Sequence, residues 1–230
     1  MQRRVPGRRA QSQAPRLRSP RRRAVRGGQN RPAHALGIFD ISRPIDEDTD
    51  AWPGDVPFSW RETARLVEGS LYESTCFTMS AHLGTHADAP SHVLPGGNPI
   101  GRVPLDAFIG KARVVDLPGR GEIGPDSLPR GCLGAPRVLF RTKGRTFLSP
   151  LAAVRLAEKG ALLVGTDALS VDPEDAEDLP VHRTLLSRGV MLLEGLVLEH
   201  VEPGDYRLVA LPLALMDLDA APVRAILIKE

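Results

Sequence analysis

The 230 residues hold only two cysteines, few aromatic side chains and no apolar run near the roughly 18 residues that a membrane span requires. Cys76 and Cys132 make neither a CxxC pair nor a disulfide framework, so the fold must rest on its apolar core and the compartment reads as reducing. The N-terminus also lacks the apolar stretch of a secretory signal, and a cytoplasmic protein is expected. No Gly-x-Ser-x-Gly elbow occurs, which argues against a serine hydrolase, and there is neither a phosphate-cradling glycine loop nor an internal repeat. Finally, residues 1–36 contain no Lys, Asp or Glu.

What that segment does contain is eleven Arg among Pro, Gly, Gln and Ser, with almost no large apolar residue. Such a composition cannot offset the entropy of ordering, so residues 1–36 read as a disordered tail. An arm for nucleic acid or a transit peptide would share this composition, but a dispensable extension is the simpler reading. Removing eleven Arg from the thirty basic residues leaves nineteen against twenty-eight acids over residues 37–230. That part is therefore acidic, which disfavours nucleic acid and anionic membranes as partners. With 42% hydrophobic residues the whole chain can furnish the core of a single domain, placed over residues 37–230.

From Gly37 onward, short apolar runs alternate with Gly and Pro. The runs Ala112–Leu117, Arg137–Phe140, Ala161–Val164, Val190–Leu193, Tyr206–Leu211 and Val223–Ile228 read as strands. Thr75, Phe77 and Met79 alternate with polar or small residues, predicting a half-buried strand that runs up to His82, with Cys76 packed. Ser149 before Pro150, with Gly160 at the far end, predicts a helix of about three turns. A shorter one is expected over His182–Arg188, stopped by Gly189. The class is α/β, with a β-rich core and few short helices.

Three of the six histidines and one aspartate fall within SAHLGTHADAPSH: His82, His86, Asp88 and His92. The His82–His86 spacing would suit one helix face, but Gly84, Thr85 and the following Pro90 favour a turn. In an extended continuation His86 and Asp88 point to one side, and a turn at Gly84 can bring His82 back beside them. Imidazole with carboxylate suits zinc and tolerates manganese or iron, while the absence of nearby Cys argues for a catalytic rather than a closed structural site. Elsewhere, Glu194 is a carboxylate inside the apolar run MLLEGLVL and needs a strong partner to offset its desolvation. Trp52-Pro53-Gly54-Asp55 suits a type II turn that would project the indole from a loop. Asp167, after the run ALLV, is expected to be structural or to support the site. His34 and His200 carry no assignment.

The pattern HxGTHxDxPxH resembles the signature of the cyclase family of metal-dependent hydrolases, which includes bacterial kynurenine formamidase and isatin hydrolase. The resemblance runs over nearly all of residues 38–229, through DISRPI, WPGD, IGRVPLDAFIG, GTDALSVDP, LLEGLVLEHVEPGDYRLVALPL and LDAAPVRAIL. It implies a swivelling β/β/α-like fold and a homodimer or higher homo-oligomer. It also implies two Zn2+ per subunit, with Mn2+ as the other candidate. His82, His86 and Asp88 would hold the first ion, Asp88 would bridge, and His182 and Glu194 would hold the second. Around His182 the chain reads LPVHRT, where the family commonly has an acidic residue and further histidines. His92 matches the acid/base residue, although its spacing also allows a ligand role, and Trp52 matches a position that contacts substrate.

Among members of the family the chain is most similar to the kynurenine formamidases. The activity implied is hydrolysis of N-formylkynurenine to kynurenine and formate in tryptophan catabolism. The alternatives are hydrolysis of a cyclic amide such as isatin, or a non-catalytic binding protein of the same fold.

Overall fold

The computed structural model describes residues 37–229 apart from Pro118 and Arg120; the expected tail over 1–36, with His34, lies outside the described residues. In chain order the strands are β1 (Ile38–Asp40), β2 (Ser59–Ala64), β3 (Ser74–Thr78), β4 (His86–Asp88), β5 (Ile109–Asp116), β6 (Gly121–Ile123) and β7 (Arg137–Arg141). They continue with β8 (Thr146–Leu148), β9 (Leu163–Thr166), β10 (Met191–Glu194), β11 (Gly204–Val209), β12 (Ala220–Pro222) and β13 (Ile226–Ile228). The α-helices among the described residues are α1 (Pro150–Glu158) and α2 (Pro180–Leu186). The β-rich α/β class expected from the sequence is the class observed, and each of the six apolar runs contributes a strand.

Nine strands form one mixed sheet in the order β1-β13-β11-β5-β7-β9-β10-β4-β12. The stretch β5-β7-β9-β10 is parallel, and the strands at both ends run antiparallel to their neighbours. Parallel strands are usually covered on both faces, which explains why β7, β9 and β10 are near-continuous apolar runs and almost wholly buried. Ser149 caps α1 as its sequence predicts, its hydroxyl accepting the Ala152 N–H at 3.1 Å, and α1 packs on α2, which lies against β10.

Connectivity forces this sheet to curl. β12 stands ninth and β13 second in the order, yet only residues 223–225 join them. Seven inter-strand spacings would cover about 34 Å if flat. Four Cα–Cα steps reach at most about 14 Å. The two ends must therefore approach each other, and hydrogen bonds confirm that they do: Ile41, just after β1, receives the Val197 N–H from beyond β10 and donates its own N–H to Ala225.

Residues 74–80 depart from expectation. β3 ends at Thr78 and pairs with β2 alone, forming a two-stranded ribbon with both faces open. Alternation implied one buried face, but no layer among the described residues covers it, so Phe77 is 59% exposed and Cys76 is exposed rather than packed.

Beyond the ribbon the chain turns sharply into β4. Gly84 has φ +74°, and a Cβ there would meet Ile45 at 2.8 Å. Gly195, directly after β10, has φ +66°, and its Cβ would run into the Gly84 carbonyl. Only two bare backbones can approach this closely. Thr85 locks the junction, its buried hydroxyl accepting the Arg43 N–H at 2.8 Å and donating to the Gly195 carbonyl at 2.7 Å. Gly195→Ala is expected to destabilise the protein by about 1–3 kcal/mol or more. Gly96→Ala, where φ is also positive but the space is open, should cost only about 1 kcal/mol. Equal shifts of the two variants in chemical denaturation would refute the close-approach account.

Candidate metal centre

β4 lies between β10 and β12, with Glu194 opposite His86 and Ala220 opposite Asp88. Opposed residues in an antiparallel pair share a face, as do residues two apart in one strand. His86, Asp88 and Glu194 therefore project together, as the period-two reading of His86 and Asp88 requires. The Gly84 turn returns His82 to them, and α2 delivers His182.

Asp88 is fully buried at the middle. Its Oδ1 lies 3.0 Å from His82 Nδ1 and 3.4 Å from His86 Nε2, and its Oδ2 lies 3.5 Å from His182 Nε2. Glu194 closes the group at 3.4 Å from His86 Nε2 and 3.2 Å from His182 Nε2, while also accepting the Val171 N–H at 2.7 Å. Both Asp88 oxygens and His86 Nε2 are buried without a hydrogen-bond partner. Orphaned acceptors facing imidazole nitrogens are what a divalent cation would satisfy. The donors fall into two sets, His82–His86–Asp88 and Asp88–His182–Glu194, whose atoms lie within 4.8 Å of one another in each set. Nitrogen and oxygen donors without thiolate fit zinc or manganese.

The outer ring nitrogen of each of these three histidines is also engaged. His86 Nδ1 lies 3.2 Å from the Gly84 carbonyl, His182 Nδ1 2.6 Å from Asp172, and His82 Nε2 3.2 Å from Asp219. Such partners fix ring tautomers so that the inner nitrogen can donate a lone pair. Asp172 additionally accepts the Val181 and His182 N–H groups, so one carboxylate both caps α2 and orients its histidine.

His92, in a one-turn 3-10 helix after Pro90, places Nδ1 3.0 Å from Asp219, with its ring centroid 4.4 Å from that of His82. A cavity of about 170 Å³ is lined by His82, His86, His92, His182, Glu194 and Trp52, among others. The Trp52 turn forms as expected, with the Asp55 N–H donating to the Trp52 carbonyl at 2.9 Å and Gly54 at φ +93°. Trp52, Leu169 and Ser170 also border an adjoining open cleft of about 670 Å³ that contains Arg43, Lys143 and Arg145. His82, His86, Asp88, His92, His182, Glu194 and Trp52 thus meet at one cavity or directly beneath it.

Asp167 is not among the clustered His, Asp and Glu side chains. It accepts the Thr142 amide and hydroxyl and the Lys143 amide, tying the loop after β7. His200 sits apart, its ring centroid 6.5 Å from that of Phe39. Sequence reasoning missed Asp172 and Asp219. Asp172 lay in GTDALSVDP and Asp219 in LDAAPVRAIL, and an aspartate amid small and apolar residues was the available signal.

Burial opposes charge on each of these histidines, yet the carboxylates outweigh it. His82 is pushed up to about 9 because Asp88 and Asp219 overcome its desolvation; His86 is raised because Asp88 and Glu194 do so, and His182 because Glu194, Asp172 and Asp88 do. Burial likewise opposes ionisation of Asp88, but His86, His182 and His82 hold it well below the usual carboxylate range. In the metal-free chain His82 therefore stabilises the fold fully below its ordinary value of 6.5 and loses that contribution as pH climbs through about 9. A cation must displace this proton, so its apparent affinity should rise across the same window. Titration calorimetry in buffers of different ionisation heat is expected to show proton release on zinc uptake at pH 7. Uptake without protons, and equally tight at pH 6.5 and 9, would contradict the arrangement.

The sequence profile of the Cyclase family matches residues 39–173. Kynurenine formamidase of Salinibacter ruber (strain DSM 13855 / M31) is 43% identical over 206 residues, covering 84% of this chain and 97% of its own length. Among solved structures, a protein titled a potential metal-dependent hydrolase with cyclase activity superposes with a TM-score of 0.72 at 33% identity, covering 84% of this chain and 98% of that one. Isatin hydrolase A from Labrenzia aggregata shares the fold, with a TM-score of 0.71 at 24% identity over 84% and 94% of the two chains.

Proposed function

The chain belongs to the cyclase family, and from that we propose that it hydrolyses N-formylkynurenine to kynurenine and formate, an arylformamidase reaction. The observation that carries this reading is the near full-length match to kynurenine formamidases in a chain whose buried donor cluster suits metal-dependent hydrolysis. We read residues 37–230 as the hydrolase domain, with His82, His86, Asp88, His182 and Glu194 holding two zinc ions and manganese as the other candidate. Ions held there would polarise the formyl oxygen and acidify a water.

His92 takes the proton that the attacking water surrenders and returns it to the departing nitrogen. An aryl amine leaves more readily than an alkyl amine, so a weak acid suffices. Trp52, at the cavity wall, stacks on the anilide ring. The adjoining cleft offers Arg43, Lys143 and Arg145 to the carboxylate of the amino-acid end.

Trp52→Ala should raise KM for N-formylkynurenine while leaving zinc content unchanged. A cyclic amide is the competing substrate, supported by the isatin hydrolase fold. Comparing kcat/KM for N-formylkynurenine and isatin on one zinc-loaded preparation decides between them: preference for the formamide is expected, and preference for isatin would overturn the substrate assignment alone.

We further propose a cytoplasmic homodimer. Free Cys76 and Cys132 suit a reducing compartment. The ribbon and the segment joining its two strands expose Trp60, Leu66, Val67, Leu71, Tyr72 and Phe77, apolar side chains that a second copy would cover. Sedimentation of the native chain should give a dimer, and the double variant Trp60→Lys with Phe77→Lys should shift it toward monomer. A native monomer at micromolar concentration would defeat the proposal.

A further inference from the structure

The ring nitrogens around Asp219 can be accounted for one at a time. His82 Nδ1 faces Asp88 Oδ1 at 3.0 Å, and its Nε2 faces Asp219 Oδ2 at 3.2 Å. His92 Nδ1 faces that same Asp219 oxygen at 3.0 Å. A neutral imidazole carries one proton and one free lone pair, and an ionised carboxylate only accepts. For His82 to offer a lone pair to the buried cluster, Nδ1 must be bare, so Nε2 keeps the proton and gives it to Asp219. By the same rule His92 donates from Nδ1, leaving Nε2, across the ring, with the lone pair that proton transfer needs.

Asp219 is well placed to impose this. Its carbonyl accepts the Ala89 N–H at 2.9 Å, and the preceding Leu218 carbonyl accepts the Ile100 N–H at 2.8 Å. The next residue, Ala220, pairs with Asp88 across β12 and β4. The carboxylate is therefore anchored to the strand that carries the central ligand.

We propose that Asp219 is a positioning residue whose single oxygen sets the tautomers of two histidines at once, His82 as a ligand and His92 as the proton carrier. This rests on the assignment of His92 given above. His82, His92 and Asp219 also meet the distance criterion for a cation site of their own. That alternative would require bare nitrogens on both sides of His82, an imidazolate. The shared hydrogen-bond acceptor is the simpler occupant of that space.

Two measurements on the zinc-loaded full-length protein test this. Long-range nitrogen–proton spectra of histidine-labelled wild type should show His82 protonated on Nε2 and His92 on Nδ1. Asp219→Ala should lose the His92 Nδ1 proton and lower kcat on a formanilide about 10–100-fold. With zinc in excess its KM should stay within about threefold, while Asp219→Glu should recover part of kcat. His92 protonated on Nε2 in wild type would overturn the proposal, as would an Asp219→Ala variant that keeps the wild-type kcat when zinc is in excess. The spectra use no substrate and require no variant to fold, so they decide the matter even if formanilides are not turned over.

Discussion

The structure depends on one buried carboxylate. Asp88 is wholly removed from water, with neither oxygen hydrogen-bonded, and a lone ion in that position would cost several kcal/mol. Three imidazoles surround it, while a second buried carboxylate, Glu194, adds to the negative charge they must balance. Histidinium ions can compensate in the metal-free chain and divalent cations when they are bound. In either state the centre of the molecule is held by opposite charges brought from three separate segments, residues 82–88, α2 and β10, and the apolar sheet around them lowers the dielectric in which they act.

This arrangement explains why polar residues outside the cluster sit where they do. Asp172 and Asp219 each accept from the outer nitrogen of one ligand-type histidine, and each also has a structural task, capping α2 in one case and adjoining β12 in the other. Orientation of the rings is thus built into the elements that carry them. The Gly84–Gly195 contact has the same character, since it brings the His82 turn against the end of the strand bearing Glu194.

The parts of the site that were legible in sequence are those whose logic is local. His86 and Asp88 share a face because strands repeat every two residues, His82 returns because Gly84 permits a left-handed turn, and Glu194 is conspicuous as an acid in an apolar run. Asp172 and Asp219 act through the far nitrogen of a histidine distant in sequence, and spacing cannot reveal that relation. Within GTDALSVDP the strand-end position favoured Asp167, which ties a loop, over Asp172, which orients His182. The ribbon was misjudged for a related reason. Alternation in residues 74–80 describes which side chains point together, whereas burial needs a second layer that a segment cannot announce.

The three-residue link between β12 and β13 bears on how the chain is made. Residues 220–228 supply the outermost strand beside β4 and the strand that pairs with β1 at the opposite end of the sheet. During vectorial synthesis these emerge after every other described strand. Until they do, β1 and β4 each lack a neighbour and the curled sheet stands open along its length. The nascent chain must wait with two unsatisfied edges, and the emergence of this last pair of strands, rather than of any earlier one, is the event that closes the curled sheet.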